Sequence, residues 1–321
     1  MILITGATGF IGSHLVKHML ETTGRPLYVL TRRGDNEFNR NEKIKVLTAD
    51  ISKEFILPEE VTTIYNCAGV ISKDNEMWQV NVEGTRRIAE AAFKQRCRLV
   101  HLSSAGVIGA NSMSHIDESV ECRPQNLYER TKREAEKIIS GFIAKGLKAQ
   151  IVRPTIVIGP RPNPDGDSFL QLMRSIKHGR YVNIDGGNGI YNIVHVNEVA
   201  RVMTMLDDDS ISNGETFFVN TPITFRELTE IVVDETRSTG KAIKNVPYLI
   251  ALTATLVMSL VTLISGKKMP LTYSRLKALT NKAVFSQDKL LKMTGYKTAM
   301  PIQEYIRQMC CEFSQKGLLN N

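Results

Sequence analysis

The residues of this chain best suited to chemistry are a tyrosine and a lysine four positions apart, preceded by two serines. Tyr128 and Lys132 open a segment that is compatible with a helix as far as Lys145, and positions i and i+4 share one helix face. A desolvated ammonium beside a phenol favours the phenolate and lowers a pKa that starts at about 10. The spacing therefore predicts that Tyr128 exchanges a proton near neutral pH. Residues 98–103 predict a strand that delivers Ser103 and Ser104 at its carboxyl end.

The element that must position these groups is the sequence TGATGFIG at residues 5–12. An apolar run at residues 1–4 predicts a buried strand, and residues 10–23 carry apolar side chains at helical spacing. Between them, Gly6 permits a tight turn, Gly9 lets a pyrophosphate approach bare backbone, and Gly12 lets the helix pack close to the strand. This context favours a dinucleotide site over a plain glycine-rich turn.

A second predicted strand, residues 26–31, ends where an acidic residue would bind the ribose hydroxyls of NAD. The chain has Arg32 and Arg33 there, and a guanidinium can pair with a 2′-phosphate. This favours NADP(H) over NAD(H), although two solvated arginines at a strand end would look the same.

Two further predicted strands, residues 44–47 and 63–66, are each followed by polar or small residues. Asp50 could accept a hydrogen bond from an adenine amino group. Residues 67–69 would approach the cofactor, or form an ordinary turn. Asn81 lies near the start of a helix predicted over residues 80–96, as an ordinary polar residue or as a support for the active-site backbone.

As a set, seven motifs resemble the extended short-chain dehydrogenase/reductase family, the NAD(P)-dependent epimerase/dehydratase group: TGATGFIG, NCAG (66–69), NVEGT (81–85), SSAGVIG (103–109), YERTK (128–132), RPTIVIGP (153–160) and HVNEVA (195–200). The resemblance implies an α/β fold: a Rossmann-type doubly wound parallel sheet with a smaller C-terminal α/β substrate domain. It also implies a homodimer.

Carried over to this chain, the resemblance assigns three catalytic roles. Ser104 polarises the substrate oxygen, Tyr128 is the acid/base, and Lys132 holds the nicotinamide ribose while tuning Tyr128. The cofactor contacts expected in this way are Gly6, Thr8, Gly9, Phe10, Ile11, Gly12, Arg32, Asp50, Ile51, Cys67, Ala68, Gly69, Asn81, Tyr128, Lys132 and Pro154.

The chain departs from the family at two places that bear on the reaction. Ala105 and Gly106 stand where sugar-nucleotide dehydratases have an acidic pair, so we do not expect dehydration. Tyr191 stands where sugar-nucleotide epimerases often have a diphosphate-binding arginine, which weakens the case for a nucleotide sugar. Tyr191 would pack against an apolar substrate or the core, and we expect His195 to be a packed or surface residue.

Residues 1–160 are predicted to form the nucleotide-binding domain, joined by a segment that returns around residues 190–206. Residues 161–321 are predicted to be mainly the substrate domain, including a strand at residues 217–220. An apolar stretch at residues 246–265, flanked by Lys241, Lys244, Lys267 and Lys268, suits membrane-surface contact or a buried, substrate-covering helix.

The apolar stretch is followed by the pairs Leu271-Thr272 and Phe285-Ser286. Together these features resemble the 3β-hydroxysteroid dehydrogenase-like branch of the family. That branch acts on hydrophobic alcohols and ketones and sometimes associates with membranes.

The composition of the chain narrows the classes of ligand and the cellular compartments that we expect. The 321 residues carry a net charge of +8, which is compatible with a phosphate ligand, but no basic run is long enough to indicate nucleic acid. Five cysteines without metal-ligand spacing indicate a reducing compartment and no metal site. The first residues are predicted to be the first strand, so we expect no signal peptide and a cytoplasmic protein, with membrane association left open.

The sequence thus predicts an NAD(P)-dependent oxidoreductase that interconverts a carbonyl and an alcohol. A keto-sugar nucleotide or related small carbonyl is the favoured substrate, with a steroid-like apolar ketone close behind. A nucleotide-sugar 4-epimerase would use the same three residues, and a cofactor-binding sensor or scaffold is the non-enzymatic alternative.

Overall fold

A computed structural model describes residues 1–34, 37–111, 113–161, 163–164, 166–236, 243–265 and 272–320. Its strands are β1 (Ile2–Thr5), β2 (Leu27–Thr31), β3 (Ile44–Thr48), β4 (Thr63–Asn66), β5 (Arg98–Leu102), β6 (His115–Ile116), β7 (Ala149–Pro154), β8 (Ile156–Ile158), β9 (Val182–Ile184), β10 (Ile190–Tyr191), β11 (Ile193–His195), β12 (Thr216–Val219), β13 (Ile223–Thr224), β14 (Lys244–Val246) and β15 (Val284–Phe285). Its helices are α1 (Phe10–Thr22), α2 (Asp74–Met77), α3 (Thr85–Gln95), α4 (Leu127–Ile143), α5 (Ser168–Lys177), α6 (Val196–Met205), α7 (Phe225–Thr236), α8 (Tyr248–Ser265), α9 (Tyr273–Thr280), α10 (Asp288–Thr294) and α11 (Ile302–Gln315).

The central sheet has seven parallel strands in the order β3-β2-β1-β4-β5-β7-β12. Every residue of β1 and β4 is buried, as expected for a parallel sheet covered by helices on both faces. The chain runs outward from β1 to β3 and then resumes at β4 on the other side of β1. This reversal opens a crevice at the carboxyl ends of β1 and β4, and it confirms the predicted Rossmann-type fold.

The helix predicted over residues 80–96 is wrong in its start and in its form. The helical stretch begins earlier with α2 and continues through a π-helical segment, Trp78–Gly84, into α3. An apolar repeat of about 3.6 residues indicates a helix but does not reveal one wider turn within it. The π-helical segment contains Asn81, which is buried.

The predicted placement of residues 217–220 in the smaller domain is also wrong. This segment forms β12, which pairs with β7 at the edge of the central sheet, and Phe217 belongs to the main core. A short apolar run indicates a strand but not the sheet that contains it. Helix α6 packs against α1, and its Val199 and Val202 belong to the same core.

A second core joins α5, α7 and α11 beyond the central sheet. The apolar stretch predicted as a helix over residues 246–265 forms α8 from Tyr248 onward, because Val246 pairs with Ile184 in a small sheet. Lys241, Lys267, Lys268 and Leu271 lie outside the described residues. Within the described ranges, none of the helices has the length and apolar character needed to cross a membrane.

A buried carboxylate fastens the C-terminal tail to α6. Glu198 is buried and accepts hydrogen bonds from the Tyr296 hydroxyl (2.6 Å), the Tyr305 hydroxyl (2.7 Å) and the Ala299 amide (3.1 Å). It also pairs with Arg201 at 2.8 Å. Because α6 packs on α1, the tail is tied to the first helix of the nucleotide-binding sheet.

Candidate active site

The glycine turn between β1 and α1 is closed to side chains. Gly6 has φ +64°, and a Cβ there would lie 2.7 Å from the Ala68 nitrogen. A Cβ at Gly12 would lie 2.1 Å from the Gly6 carbonyl oxygen. Helix α1 begins behind Gly9 without a side-chain cap and without an acidic residue in its first turn. Its first amide groups therefore suit an anion, and the turn fits a dinucleotide pyrophosphate.

A cavity of about 230 Å³ lies beside this turn at the carboxyl ends of the central strands. It is lined by the end of β2, by the segments that follow β1, β2, β3 and β4, and by the π-helical segment: Gly6, Thr8, Gly9, Leu30, Thr31, Arg32, Ala49, Asp50, Ile51, Cys67, Ala68, Gly69, Val70 and Val80. Nine predicted cofactor contacts are among these residues. Phe10, Ile11, Gly12, Asn81, Tyr128, Lys132 and Pro154 are not.

Phe10 and Ile11 have packing partners elsewhere. The Arg161 guanidinium lies 4.2 Å from the centroid of the Phe10 ring, and Ile11 packs against the main core. Their contribution to cofactor binding would come from backbone amides. Pro154 is buried at the end of β7, in register with Val219. We therefore assign Pro154 to the sheet in this structure.

Arg32 and Asp50 lie at the outer end of the cavity. Arg32 is largely exposed, and its guanidinium is 3.9 Å from the Glu76 carboxylate. Burial would raise the pKa of Asp50, but hydrogen bonds from Ser52 and the charges of Arg32 and Lys53 together lower it. Asp50 is therefore ionised at neutral pH and faces the positive charge of Arg32.

The two serines after β5 have different partners. Ser103 is buried, and its hydroxyl donates a 2.6 Å hydrogen bond to the Glu136 carboxylate. Ser104 is half-buried, and its Oγ accepts a hydrogen bond from the Gly106 amide at 3.1 Å. The Ser104 proton can therefore be directed to a substrate oxygen, whereas the Ser103 hydroxyl is held in the protein interior.

Tyr128 and Lys132 lie on consecutive turns of α4, as predicted. The helix begins there because Asn126 and Glu129 form a reciprocal capping box. Burial raises the pKa of Tyr128, and a hydrogen bond with Ser104 opposes this rise in part. Burial also lowers the pKa of Lys132 to about 8.

The prediction that Lys132 lowers the pKa of Tyr128 is wrong in this structure. The Lys132 Nζ donates to the Leu102 carbonyl oxygen at 2.8 Å, so the ammonium is held at the end of β5. Burial of the phenol then dominates. Lys132 still lies beside the segment that follows β4 and lines the cavity, because a Cβ at Gly69 would be 3.3 Å from its Nζ.

Asn81 joins the segment that follows β4 to α4. Its Oδ1 accepts from the Val70 amide (2.7 Å), and its Nδ2 donates to the Val70 carbonyl (2.9 Å) and the Thr131 hydroxyl (3.0 Å). Thr131 directly precedes Lys132 on α4. Of the two interpretations of Asn81, the structure favours the support of the active-site backbone.

The sequence of this chain matches a known family of proteins. The sequence profile of the NAD dependent epimerase/dehydratase family matches residues 2–219. The chain belongs to this family. UDP-glucose 4-epimerase of Vibrio cholerae is 29% identical over 237 residues, which cover 68% of this chain and 70% of that protein.

The similarity extends to the C-terminal part of the chain. 3beta-Hydroxysteroid-dehydrogenase/decarboxylase isoform 1 of Arabidopsis thaliana is 26% identical over 352 aligned positions, covering 97% of this chain and 79% of that protein. The crystal structure of UDP-glucose 4-epimerase from Thermotoga maritima with UDP-glucose has a TM-score of 0.73 at 19% identity, covering 98% and 99% of the two chains. This epimerase/dehydratase family member thus has relatives in both groups that its sequence resembles.

In this family member, Tyr191 and His195 both serve packing. The Tyr191 ring stacks between Phe169 and Phe225, at centroid distances of 6.4 and 5.0 Å. The His195 ring stacks on Tyr305 at 3.9 Å, and its Nδ1 accepts from the Asn197 amide. Burial lowers the pKa of His195 to about 3, so His195 is neutral and serves as a helix cap.

Sequence reasoning missed a buried ion pair on α4 and β7, formed by Glu136 and Arg153. Glu136 accepts from Arg153 Nε and Nη2, both at 2.8 Å, from Arg133 at 3.0 Å, and from Ser103. A sequence signal exists, because Glu136 lies four residues after Lys132 and Arg153 precedes Pro154 inside a family motif. These charges fix the relative positions of α4, β5 and β7.

A second missed cluster lies beneath the glycine turn. The Asn66 Oδ1 accepts a hydrogen bond from the Thr5 hydroxyl (2.6 Å), and the Asn66 Nδ2 is hydrogen-bonded to His101 Nδ1 (3.1 Å). All three residues are fully buried. Burial holds the pKa of His101 well below its usual value. These neutral polar contacts join β1, β4 and β5 where the strands approach the cavity.

The cysteines and the acidic residues are among the side chains that could hold a metal ion. All five cysteines are free, and burial raises the pKa of Cys67 to about 12. Among the described residues, no group of three or more histidine, cysteine, aspartate or glutamate side chains is arranged to hold a metal ion.

Proposed function

We propose that this chain is an NAD(P)-dependent oxidoreductase that interconverts a carbonyl and an alcohol. The observation that carries the proposal is the position of the Ser104 hydroxyl, close enough to Tyr128 to oppose the rise of its pKa, with Lys132 one turn further along α4. When bound, the nicotinamide cofactor supplies the hydride to the carbonyl carbon or accepts it from the alcohol. The residues of the chain then have to bind the substrate oxygen and move one proton.

The surroundings of Ser104 and Tyr128 suit the reductive direction. Ser104 Oγ accepts from Gly106, so its hydroxyl proton can stabilise negative charge developing on the substrate oxygen. Tyr128 is buried with a raised pKa, so it is protonated at neutral pH and can donate its proton to that oxygen. In alcohol oxidation the same proton returns to Tyr128.

For the cofactor, we propose a preference for NADP(H) over NAD(H). The closed glycine turn fits the pyrophosphate of either dinucleotide. Arg32 distinguishes them, because it is an exposed cation at the end of β2 that lines the cavity. A 2′-phosphate there would meet a guanidinium that is paired only loosely with Glu76.

The substrate belongs to one of two classes. A keto-sugar nucleotide or related small carbonyl is supported by the V. cholerae relative, whose name records activity on UDP-glucose. A steroid-like apolar ketone is supported by the A. thaliana relative and by Tyr191, whose stacked ring stands where an epimerase often has an arginine.

A nucleotide-sugar 4-epimerase is the second candidate, supported by the same V. cholerae relative. It would oxidise and re-reduce one carbon with the same three residues, retaining its cofactor throughout. Dehydration lacks the required acid pair, because Ala105 and Gly106 follow Ser104. Glu129, which lies beside Gly106, is engaged by the Gln125 amide in the helix cap.

The test is native mass spectrometry of the purified protein, followed by separate NADPH and NADH titrations and a carbonyl screen. An empty site that prefers NADPH and reduces a keto sugar or a steroid-like ketone supports the proposal. Tightly retained NAD(H) with activity on a UDP-sugar supports the epimerase instead. Cofactor binding without turnover on either class would favour the sensor or scaffold.

We also propose that the chain forms a homodimer, as its resemblance to the family implies. Multi-angle light scattering of the full chain should give a mass near twice that of one chain, and a monomer mass would contradict the proposal.

A further inference from the structure

The net charge of this chain is concentrated in one segment. Residues 236–287 contain eight basic and no acidic residues, leaving 33 basic side chains to match the 33 acidic ones elsewhere. The eight are Arg237, Lys241, Lys244, Lys267, Lys268, Arg275, Lys277 and Lys282. Of these, Lys244, Arg275, Lys277 and Lys282 are described and exposed. The +8 charge therefore belongs to a region that also contains α8.

Helix α8 presents apolar side chains to solvent. Leu249, Ile250, Leu256 and Val257 are 72%, 58%, 56% and 60% exposed, and their spacing places them on one helix face. We call these four residues the outer face of α8. The other side of the helix packs against the protein, because Ala251 and Thr255 are buried and Ala251 clusters with Leu276 and Ile184. An ordinary surface helix would have polar residues on its outer face.

We propose that the outer face of α8 docks on the surface of an anionic lipid bilayer. The apolar side chains would enter the boundary between headgroups and acyl chains, while the exposed Lys244, Lys277 and Lys282 contact negatively charged headgroups. This partner satisfies both observations at once, the apolar face and the absence of acidic residues from positions 236–287 of the sequence. The proposal is independent of the reaction at Tyr128.

Charge argues against a second copy of the chain as the occupant. A twofold interface brings the same patch of two subunits together. The basic segment would then face its own copy, and the like charges would repel. A bilayer containing anionic lipid has the opposite charge.

The experiment is flotation of the full chain with vesicles of neutral phosphatidylcholine, or of the same lipid with roughly one third anionic phosphatidylglycerol. We expect binding to the anionic vesicles that weakens as salt is raised, and at least tenfold weaker binding to the neutral ones. No binding to anionic vesicles at low salt would overturn the proposal.

The apolar contribution is tested by the fourfold variant Leu249→Gln, Ile250→Gln, Leu256→Gln and Val257→Gln. Glutamine keeps good helix propensity, and all four sites are exposed, so the melting temperature and NADPH binding should stay unchanged. We expect at least a tenfold loss of vesicle binding. The matched control is Ile56→Gln with Ile71→Gln, two other exposed apolar residues, which should bind as the wild type does.

The charge contribution is tested by Lys244→Gln, Lys277→Gln and Lys282→Gln together, against Lys43→Gln, Lys53→Gln and Lys94→Gln. Both triple variants remove three exposed lysines, so net charge alone would weaken both equally. A loss confined to the first supports docking through α8, and equal losses overturn it. Light scattering that shows the fourfold variant to be a smaller oligomer than the wild type would instead assign the face to contact between copies.

Discussion

Burial raises the pKa of Tyr128, so its phenol keeps its proton at neutral pH. In the proposed reaction, Tyr128 can act as a general acid only while it carries this proton. Tyr128→Phe keeps the ring but removes the proton, so cofactor affinity should change little. Turnover should fall by about 10²–10⁴-fold, the usual scale for general acid catalysis. Steady-state kinetics on the substrate found in the screen checks this. Tyr28→Phe, which alters a hydroxyl bound to Glu60 far from the cleft, is the control and should keep wild-type turnover.

If the cleft prefers NADP(H), as we propose, Arg32 contributes to binding only where a 2′-phosphate is present. Arg32→Ala should therefore weaken NADPH much more than NADH, by roughly tenfold or more, as expected for a charge-assisted contact. Fluorescence titration with both cofactors measures the difference. Arg25→Ala, at an exposed arginine before β2, should leave both affinities unchanged. Equal losses of NADPH and NADH affinity in Arg32→Ala would remove its proposed role.

Lys132 makes stability depend on pH in a defined direction. Its pKa is lowered from 10.5 to about 8 in the folded chain, so between these values the unfolded chain binds a proton that the folded chain does not. The free energy of unfolding should therefore rise with pH across this window. Below pH 8 the penalty for burying the ammonium is fully present.

Lys132→Met lacks this titration. The difference in unfolding free energy between the wild type and Lys132→Met should move in favour of the wild type from about pH 8 to 10. Urea unfolding at several pH values measures it. Lys94→Met, at an exposed lysine, should track the wild type throughout. If the difference in unfolding free energy between the wild type and Lys132→Met does not change with pH, the lowered pKa of Lys132 is contradicted.

At the scale of elements, the buried Glu136–Arg153 pair joins α4 to β7. Glu136→Gln would leave the buried Arg153 without a counter-charge, which should destabilise the fold by about 3–5 kcal/mol. Glu134→Gln breaks only the solvated pair with Lys137 on the same helix and should cost about 1 kcal/mol or less. Chemical denaturation compares the two, and similar losses would show that the buried pair contributes no more than a surface one.

Part of this architecture could be predicted from the sequence, and the individual elements show why. The strand–turn–helix at residues 2–22 and the pair at Tyr128 and Lys132 follow from local spacing, which apolar periodicity and glycine positions express directly. The direction of Lys132 toward Leu102, the partner of Ser103 and the edge position of β12 depend on contacts between distant segments. The π-helical turn at Asn81 changes a hydrogen-bonding pattern without changing the apolar repeat, so periodicity does not reveal it.

At the scale of the whole molecule, the positive charge is unevenly distributed along the chain. This distribution changes what the net charge implies about the ligand. The net charge taken from the sequence was compatible with an anionic ligand in the cleft. The positive excess instead lies in residues 236–287, around α8 and α9, and the rest of the chain is balanced. A preference for phosphate must therefore come from individual groups such as Arg32.

Glu198 limits how far the two parts of the chain can be exchanged between relatives. The family match ends at residue 219, but the tyrosines that solvate this buried carboxylate lie at positions 296 and 305. A chimera with a foreign C-terminal part would leave the buried Glu198 carboxylate with Arg201 on α6 but without its two tyrosine hydroxyls and the Ala299 amide. Recombining these enzymes to change their substrates therefore requires the acidic residue and its two hydroxyls to be inherited as one unit.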